Sequence, residues 1–259
     1  MESTEHLMND TSCFKGKVAL ITGGSRGIGR ATVELLADSG AKIAFTYYSN
    51  KHAAEQLHQK LQTCGAASIF QSVDNSDPDA LTSFYQEVCA DLGRPQFLVN
   101  NAAISNPLPV ILTKDETWHK IMDTDLAGTF YLCRLFVQDH LAHRSVGSIV
   151  NVSSIAALNP PAGQAAYAAA KAGMVAFTGA LAKEIGTKNI RINTVLPGWT
   201  ETDMVKSLPE ERRRELEKNI PLRRFARPSE IAQVIRFTLS EEASYLHGST
   251  LVVDGGLSS

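Results

Sequence analysis

Short runs of consecutive apolar residues alternate along the chain with longer segments in which apolar positions recur every three or four residues. The runs KVALITG (17–23), KIAFTYY (42–48), SIFQSVD (68–74), FLVNNAA (97–103), SIVNVSS (148–154), IRINTVLPG (190–198) and STLVVDGG (249–256) read as strands. They are rich in Val, Ile and Leu with little polar alternation, as expected of strands buried on both faces. Between them the helical period predicts helices over 27–39, 51–64, 77–92, 115–142, 164–185 and 228–239. In the first of these, Ile28, Ala31, Leu35 and Leu36 fall on one face. This alternation predicts an α/β fold: a seven-stranded parallel sheet, doubly wound, with helices on both faces. In such sheets ligands bind beyond the carboxyl ends of the strands, where the strand order reverses. The polar stretch 199–227 carries a charge run at 210–214, with Pro209 and Pro221 as punctuation. It reads either as a solvated helix face or as a substrate lid.

Bulk properties leave this picture in place. A chain of 259 residues suits one α/β domain, and we expect it to occupy 14–259 after a flexible tail at 1–13. The composition is 44% hydrophobic and 20% charged, with a formal net charge of -2, so no nucleic-acid or anionic-membrane surface is expected. The four cysteines, Cys13, Cys64, Cys89 and Cys133, have neither metal-type nor redox-type spacing. They read as free thiols, and no metal site is expected. No apolar run approaches the roughly 18–20 residues that span a bilayer. The start, MESTEHLMND, is acidic and polar and lacks the features of a secretory signal. A cytoplasmic protein is expected.

Chemistry enters at the first strand–helix junction, TGGSRGIG (22–29). Glycines there let the backbone turn tightly and approach a pyrophosphate, and the helix that follows aims N–H groups and its positive dipole end at the anion. The βαβ setting makes this a Rossmann-type dinucleotide site, with Gly23, Ser25, Arg26, Gly27, Ile28 and Gly29 as its residues. A phosphate loop for ATP or GTP would need a Lys-Ser/Thr pair after the glycines, and none follows. The second strand ends in Tyr47-Tyr48-Ser49-Asn50 and offers no acid to a ribose 2′-hydroxyl. Arg26 in the loop and Lys51 after the strand offer positive charge to a 2′-phosphate, with hydroxyl and amide donors at Tyr48 and Asn50. NADP(H) is therefore the expected cofactor. The competing reading is that Arg26 only pairs with a surface carboxylate.

Tyr167 and Lys171 stand four apart in a helical segment and share a face. A nearby ammonium favours the phenolate, and a general acid or base works best when its pKa lies near ambient pH. Alone, such a pair is common. Here Ser154 lies thirteen residues before Tyr167, at the end of the preceding strand, and the chain also carries the glycine loop, Asn100-Asn101-Ala102-Ala103 and Pro197-Gly198. This set resembles the short-chain dehydrogenase/reductase family from Gly16 to Gly256. Within the family it looks most like the 3-oxoacyl-[acyl-carrier-protein] reductases, through TGGSRGIGRA, GQAAYAAAKAG, PGWTETDM, RPSEIA and VVDGG.

The resemblance implies that Tyr167 gives its proton to the substrate oxygen while NADPH delivers hydride to the carbonyl carbon. Ser154 would orient that oxygen, and Lys171 would support the phenolate and hold the nicotinamide ribose. It also implies that Asp74 and Asn75 lie by the adenine, Asn101 near the adenosine–nicotinamide bridge, and Pro197, Gly198, Thr200 and Thr202 over the nicotinamide. The chain departs from the pattern twice. Ala103, counted among the cofactor-binding residues, stands where the family often has Gly. Asp125, in Thr124-Asp125-Leu126-Ala127-Gly128, stands where the family has a catalytic Asn that helps hold a proton-relaying water. If the main-chain carbonyl does most of that work, Asp125 keeps it, and its carboxylate should favour a charged Lys171. The expectation is an active enzyme with an altered pH profile, an inactive or specialised relative being the alternative.

The substrate stays more open than the reaction. An acyl chain on a carrier protein is the first choice, with Arg144 and Lys188 as docking residues and Arg223, Arg224 and Arg227 as further basic groups. A free small ketone, a sugar or a CoA thioester is the runner-up, and a non-catalytic NADP-binding sensor or scaffold is a reading of another class. Ala165, Ala168, Ala169, Ala172 and Gly173 allow close helix approach, and the family resemblance implies a homotetramer.

Overall fold

The computed structural model of the protein describes residues 14–206 and 208–259, so the expected tail lies outside the described residues. The strands are β1 (Val18–Ile21), β2 (Lys42–Tyr47), β3 (Ser68–Ser72), β4 (Pro95–Asn100), β5 (Gly147–Val152), β6 (Ile190–Pro197) and β7 (Thr250–Val253). They form one parallel sheet in the order β3-β2-β1-β4-β5-β6-β7. The helices are α1 (Gly27–Asp38), α2 (Lys51–Thr63), α3 (Pro78–Asp91), α4 (Asp115–Ile121), α5 (Gly128–His143), α6 (Ala165–Ile185), α7 (Asp203–Lys206), α8 (Glu210–Asn219) and α9 (Pro228–Leu239). This is the expected Rossmann-type α/β domain.

Both faces of the sheet are packed, which is why the strands read as unbroken apolar runs. Ala19 and Ile21 of β1 cluster with Val33 and Leu36 of α1 and with Ile231, Ile235 and Leu239 of α9. Val18 and Leu20, pointing the other way, cluster with Phe84 and Val88 of α3 and with Leu132 and Phe136 of α5. Each such Leu, Ile or Phe contributes roughly 1.5–3 kcal/mol by leaving water. Cys133 belongs to this second cluster, and burial pushes its thiol up to about 12, which leaves it unreactive. The chain winds from β1 out to β3, then crosses to β4 on the other side of β1. The switch point thus lies between β1 and β4.

The helix expected over 115–142 is broken. α4 and α5 are separated by a π-helical turn, Met122–Ala127. Its cause is tertiary. The amide of Asn75, just beyond β3, donates to the Thr124 carbonyl at 2.7 Å. Side chains that take carbonyls out of the helical ladder open it locally. Gly128 permits the approach, since a Cβ there would stand 2.2 Å from the Asn75 carbonyl oxygen.

Arg191 of β6 closes the far end of α9. Its guanidinium donates to the carbonyls of Thr238, Leu239, Ser240, Ala243 and Leu246 at 2.8–3.2 Å. Thr238 and Leu239 lie in the last turn of the helix, where carbonyls have no partner within the helix. α6, of 21 residues, is by length and composition long and apolar enough to cross a membrane. In the fold it packs instead against the sheet and buries Ala166, Ala170, Lys171, Met174 and Thr178.

Candidate active site

The carboxyl ends of the strands open into one cleft of about 890 Å³. Its floor begins with the glycine loop. Gly23 (φ 64°) and Gly27 (φ 55°) adopt the left-handed conformation that glycine takes without strain. Gly29 serves packing, since a Cβ there would sit 2.2 Å from the Gly23 carbonyl oxygen. Asn101 clamps the loop: its amide donates to the carbonyls of Thr22 and Gly23 at 3.0 and 3.1 Å, and Thr22 Oγ1 accepts the N–H groups of Asn101 and Ala102. α1 starts with Arg26 at its N-cap, with no side-chain cap bond and no acid in its first turn. Its leading N–H groups are therefore available to an anion.

Of the expected cofactor residues, Gly23, Arg26, Gly27, Ile28, Tyr48, Asn50, Asp74, Asn75, Asn101, Ala103, Tyr167, Lys171, Pro197, Gly198, Thr200 and Thr202 all line this cleft. Ser25 and Gly29 are buried behind it. Asn75 is nearly buried, and its Oδ1 has no hydrogen-bond partner among the described residues, an acceptor left free in the wall. Asp74 accepts the backbone and side-chain donors of Ser76 at 2.9 and 2.6 Å. Burial works against its ionisation, but these bonds and the charge of Lys120 hold it below the usual carboxylate range. Lys51 departs from its expected role. It does not line the cleft and pairs with Glu55 on its own helix at 3.6 Å. Residues that the motifs did not mark, among them Ile104, Ser105 and Lys120, complete the wall.

Ser154, Tyr167 and Lys171 reach the cleft from two elements. Ser154 follows β5 and caps the short 3-10 turn Ile155–Ala157 by accepting the Ala156 N–H at 3.2 Å. Tyr167 and Lys171 lie one turn apart on α6, with Lys171 Nζ 5.6 Å from the centre of the Tyr167 ring. Lys171 is 1% exposed. Its Nζ donates to the Val152 carbonyl at 3.1 Å, and Ser153 Oγ donates to the Lys171 carbonyl at 2.8 Å, which ties α6 to β5.

Asp125 stands beneath this group, fully buried in the π turn. Its Oδ1 accepts the Ile104 N–H at 2.9 Å. Its Oδ2 lies 3.7 Å from Lys171 Nζ and has no hydrogen-bond partner among the described residues. Burial raises the Asp125 carboxyl above its ordinary value, while the Lys171 charge and the Ile104 N–H pull it back. The Asp125 side chain thus faces Lys171, while its carbonyl accepts from Thr129 Oγ1.

α7 and α8 roof the far end of the cleft. The stretch expected as a lid is tied at its base, where Thr200 bridges Ala226. It holds its own apolar cluster of Val205, Leu216, Ile220 and Phe225. α8 carries the charge run and has one side toward solvent and one toward the cleft. Glu210 and Arg214 pair at 3.1 Å on its exposed side, while Arg212, Leu216 and Asn219 line the cleft. Arg144 and Lys188 are exposed and do not line the cleft. They precede β5 and β6, at the amino ends of those strands. Among the described residues no group of three potential metal ligands occurs.

A family model described as "Enoyl-(Acyl carrier protein) reductase" matches residues 23–258. The chain belongs to the short-chain dehydrogenase/reductase family and is an oxidoreductase that takes a nicotinamide cofactor. It is 39% identical over 249 residues to the 3-oxoacyl-[acyl-carrier-protein] reductase FabG of Chlamydia muridarum, covering 95% of this chain and 99% of that one. It is 37% identical to FabG of Escherichia coli and 38% identical to FabG of Thermotoga maritima, each over 94% of this chain and 98% of the relative.

Proposed function

We propose that the protein reduces a 3-oxoacyl thioester, carried by an acyl carrier protein, to the 3-hydroxyacyl product with NADP(H) and with Tyr167 as proton donor. The observation that carries this reading is the convergence of Ser154, Tyr167 and Lys171 on a cleft whose other end is an anion-binding glycine loop. The relatives' printed activity supports the substrate class. The cleft fits the cofactor: two left-handed glycines, an uncapped helix start, the free Oδ1 of Asn75 and a β2 end without an acid suit a dinucleotide with a 2′-phosphate. Arg26 and the first turn of α1 would hold phosphate, Asp74 and Asn75 the adenine, Lys171 the nicotinamide ribose, and Pro197, Gly198, Thr200 and Thr202 the nicotinamide. Bound there, NADPH supplies hydride to the carbonyl carbon.

The rest of the chemistry falls to side chains. Ser154 Oγ donates to the substrate oxygen and fixes it beside the Tyr167 hydroxyl. Tyr167 gives that oxygen its proton as the carbonyl is reduced, and the Lys171 ammonium stabilises the phenolate left behind. α7 and α8 shield the exchange from water, with Trp199, Val205 and Leu216 as apolar wall. The family model's description favours a second reading, reduction of the enoyl double bond. Loss of NADPH absorbance with an acetoacetyl thioester and with a crotonyl thioester separates the two. The ketone should turn over and the enoyl substrate should not, and Tyr167→Phe should cost roughly 10²–10⁴-fold in kcat. Undiminished turnover by Tyr167→Phe would refute the proton-donor role.

A further inference from the structure

The adenosine end of the cleft holds a cation that no motif marks. Lys120 lies in the last turn of α4, and its side chain joins Arg26, Tyr48, Ser49, Asn50 and Asp74 in the cleft wall. Its Nζ sits 5.7 Å from the centre of the Tyr48 ring, within range of a cation–π contact. Tyr48 belongs to the β2 end and Lys120 to a helix that follows β4, so the two approach from opposite sides of the switch point. Lys120 also faces Asp74, whose ionised form its charge favours. That carboxylate is already engaged by both donors of Ser76.

The ground around this lysine suits an anion. α2, of 13 residues, starts here with no acid in its first turn. Asn50 caps it by accepting the Ala53 N–H at 3.0 Å, so its side chain can offer only amide hydrogens to a ligand. A phosphate monoester carries about -1.5 to -2 charges at pH 7, more than one guanidinium offsets. Arg26 is one cation of the wall, and Lys51, turned toward Glu55, is not the second.

We propose that Lys120 is a specificity residue, closing from α4 over Tyr48 to bind, with Arg26 and the start of α2, the 2′-phosphate of NADP(H). This rests on the cofactor reading above and names the residue that enforces it. A cofactor without the 2′-phosphate has nothing for Lys120 to pair with, so the lysine acts on the choice between cofactors and not on hydride transfer.

The test is direct titration of the whole protein with NADPH and with NADH, followed by nicotinamide fluorescence, without substrate. Lys120→Gln should weaken NADPH binding by about fivefold, the scale of a partly exposed charge pair, and leave NADH unchanged. The loss should shrink with added salt. Lys120→Arg should keep most of the preference, and Lys51→Gln should change it less than about twofold. A wild type that prefers NADPH together with a Lys120→Gln that keeps the full preference would overturn the role of Lys120 and leave the cofactor reading standing. A wild type that binds both cofactors equally would overturn the cofactor reading, and this inference with it.

Discussion

Replacing Asp125 by Asn removes one buried ionisable group and little else. The Oδ1 bond to the Ile104 N–H can persist in weaker form, because the amide oxygen also accepts. What disappears is a carboxylate oxygen 3.7 Å from Lys171 Nζ, both groups being out of water. At an effective dielectric of about 20 that attraction is about 4.5 kcal/mol, set against a desolvation cost of similar size. If about 1.4 kcal/mol of it is felt in the transition state, kcat falls about tenfold at neutral pH. The pH dependence is the sharper signature. Burial raises the Asp125 carboxyl, so the wild type should carry an ionisation above the usual carboxylate range. As pH rises through it, the carboxylate forms, the Lys171 ammonium gains its partner and kcat/KM climbs. Asp125→Asn should lack that limb. The stability sign follows from the same shift. A carboxyl raised in the fold binds its proton more tightly there than in the unfolded chain, so wild-type stability falls as pH climbs from near 4 through the raised value. Over that window the Tm of the variant should rise relative to wild type. Superimposable pH–rate curves with a Tm difference independent of pH would refute the coupling of Asp125 to Lys171.

Three further outcomes are expected. Arg191→Met should lower stability by roughly 2–4 kcal/mol, because the Thr238 and Leu239 carbonyls lose their donor and those of Ser240, Ala243 and Leu246 lose one of two, and thermal unfolding should show a Tm about 5–10 °C lower with KM unchanged. Gly29→Ala should displace the glycine loop, since its Cβ meets both the Gly23 carbonyl and the Asn101 amide, and NADPH titration should show binding weakened by more than about tenfold. If Arg144 and Lys188 dock a carrier protein, their joint replacement by Glu should slow carrier-bound substrate while sparing a small ketoester. Equal loss on both substrates would rule that surface out.

The sheet was legible because burial on both faces leaves a plain mark in β1, β4 and β5, and the glycine loop because Gly23 and Gly27 need backbone angles that few other residues take. Ser154, Tyr167 and Lys171 could be found from spacing, since α6 is regular and β5 delivers Ser154 to the same end of the sheet. The π turn could not. Nothing local in 115–142 announces it, and its cause, Asn75 bonding to Thr124, comes from 49 positions earlier. The same limit explains why no motif marks Lys120. Lys51 was the natural choice because it follows β2 directly in sequence, but a residue at a helix start is free to turn toward its own i+4 partner, and Glu55 is there. Lys120 is separated from Tyr48 by two strands and two helices and meets it only because the chain reverses its winding after β3. A switch-point cleft is built from both directions of winding. Motifs around β1 and β2 describe one of its walls, and specificity particular to this chain is best sought on the other, where α4 and the π turn place Lys120 near Tyr48 and Asp125 beneath Lys171.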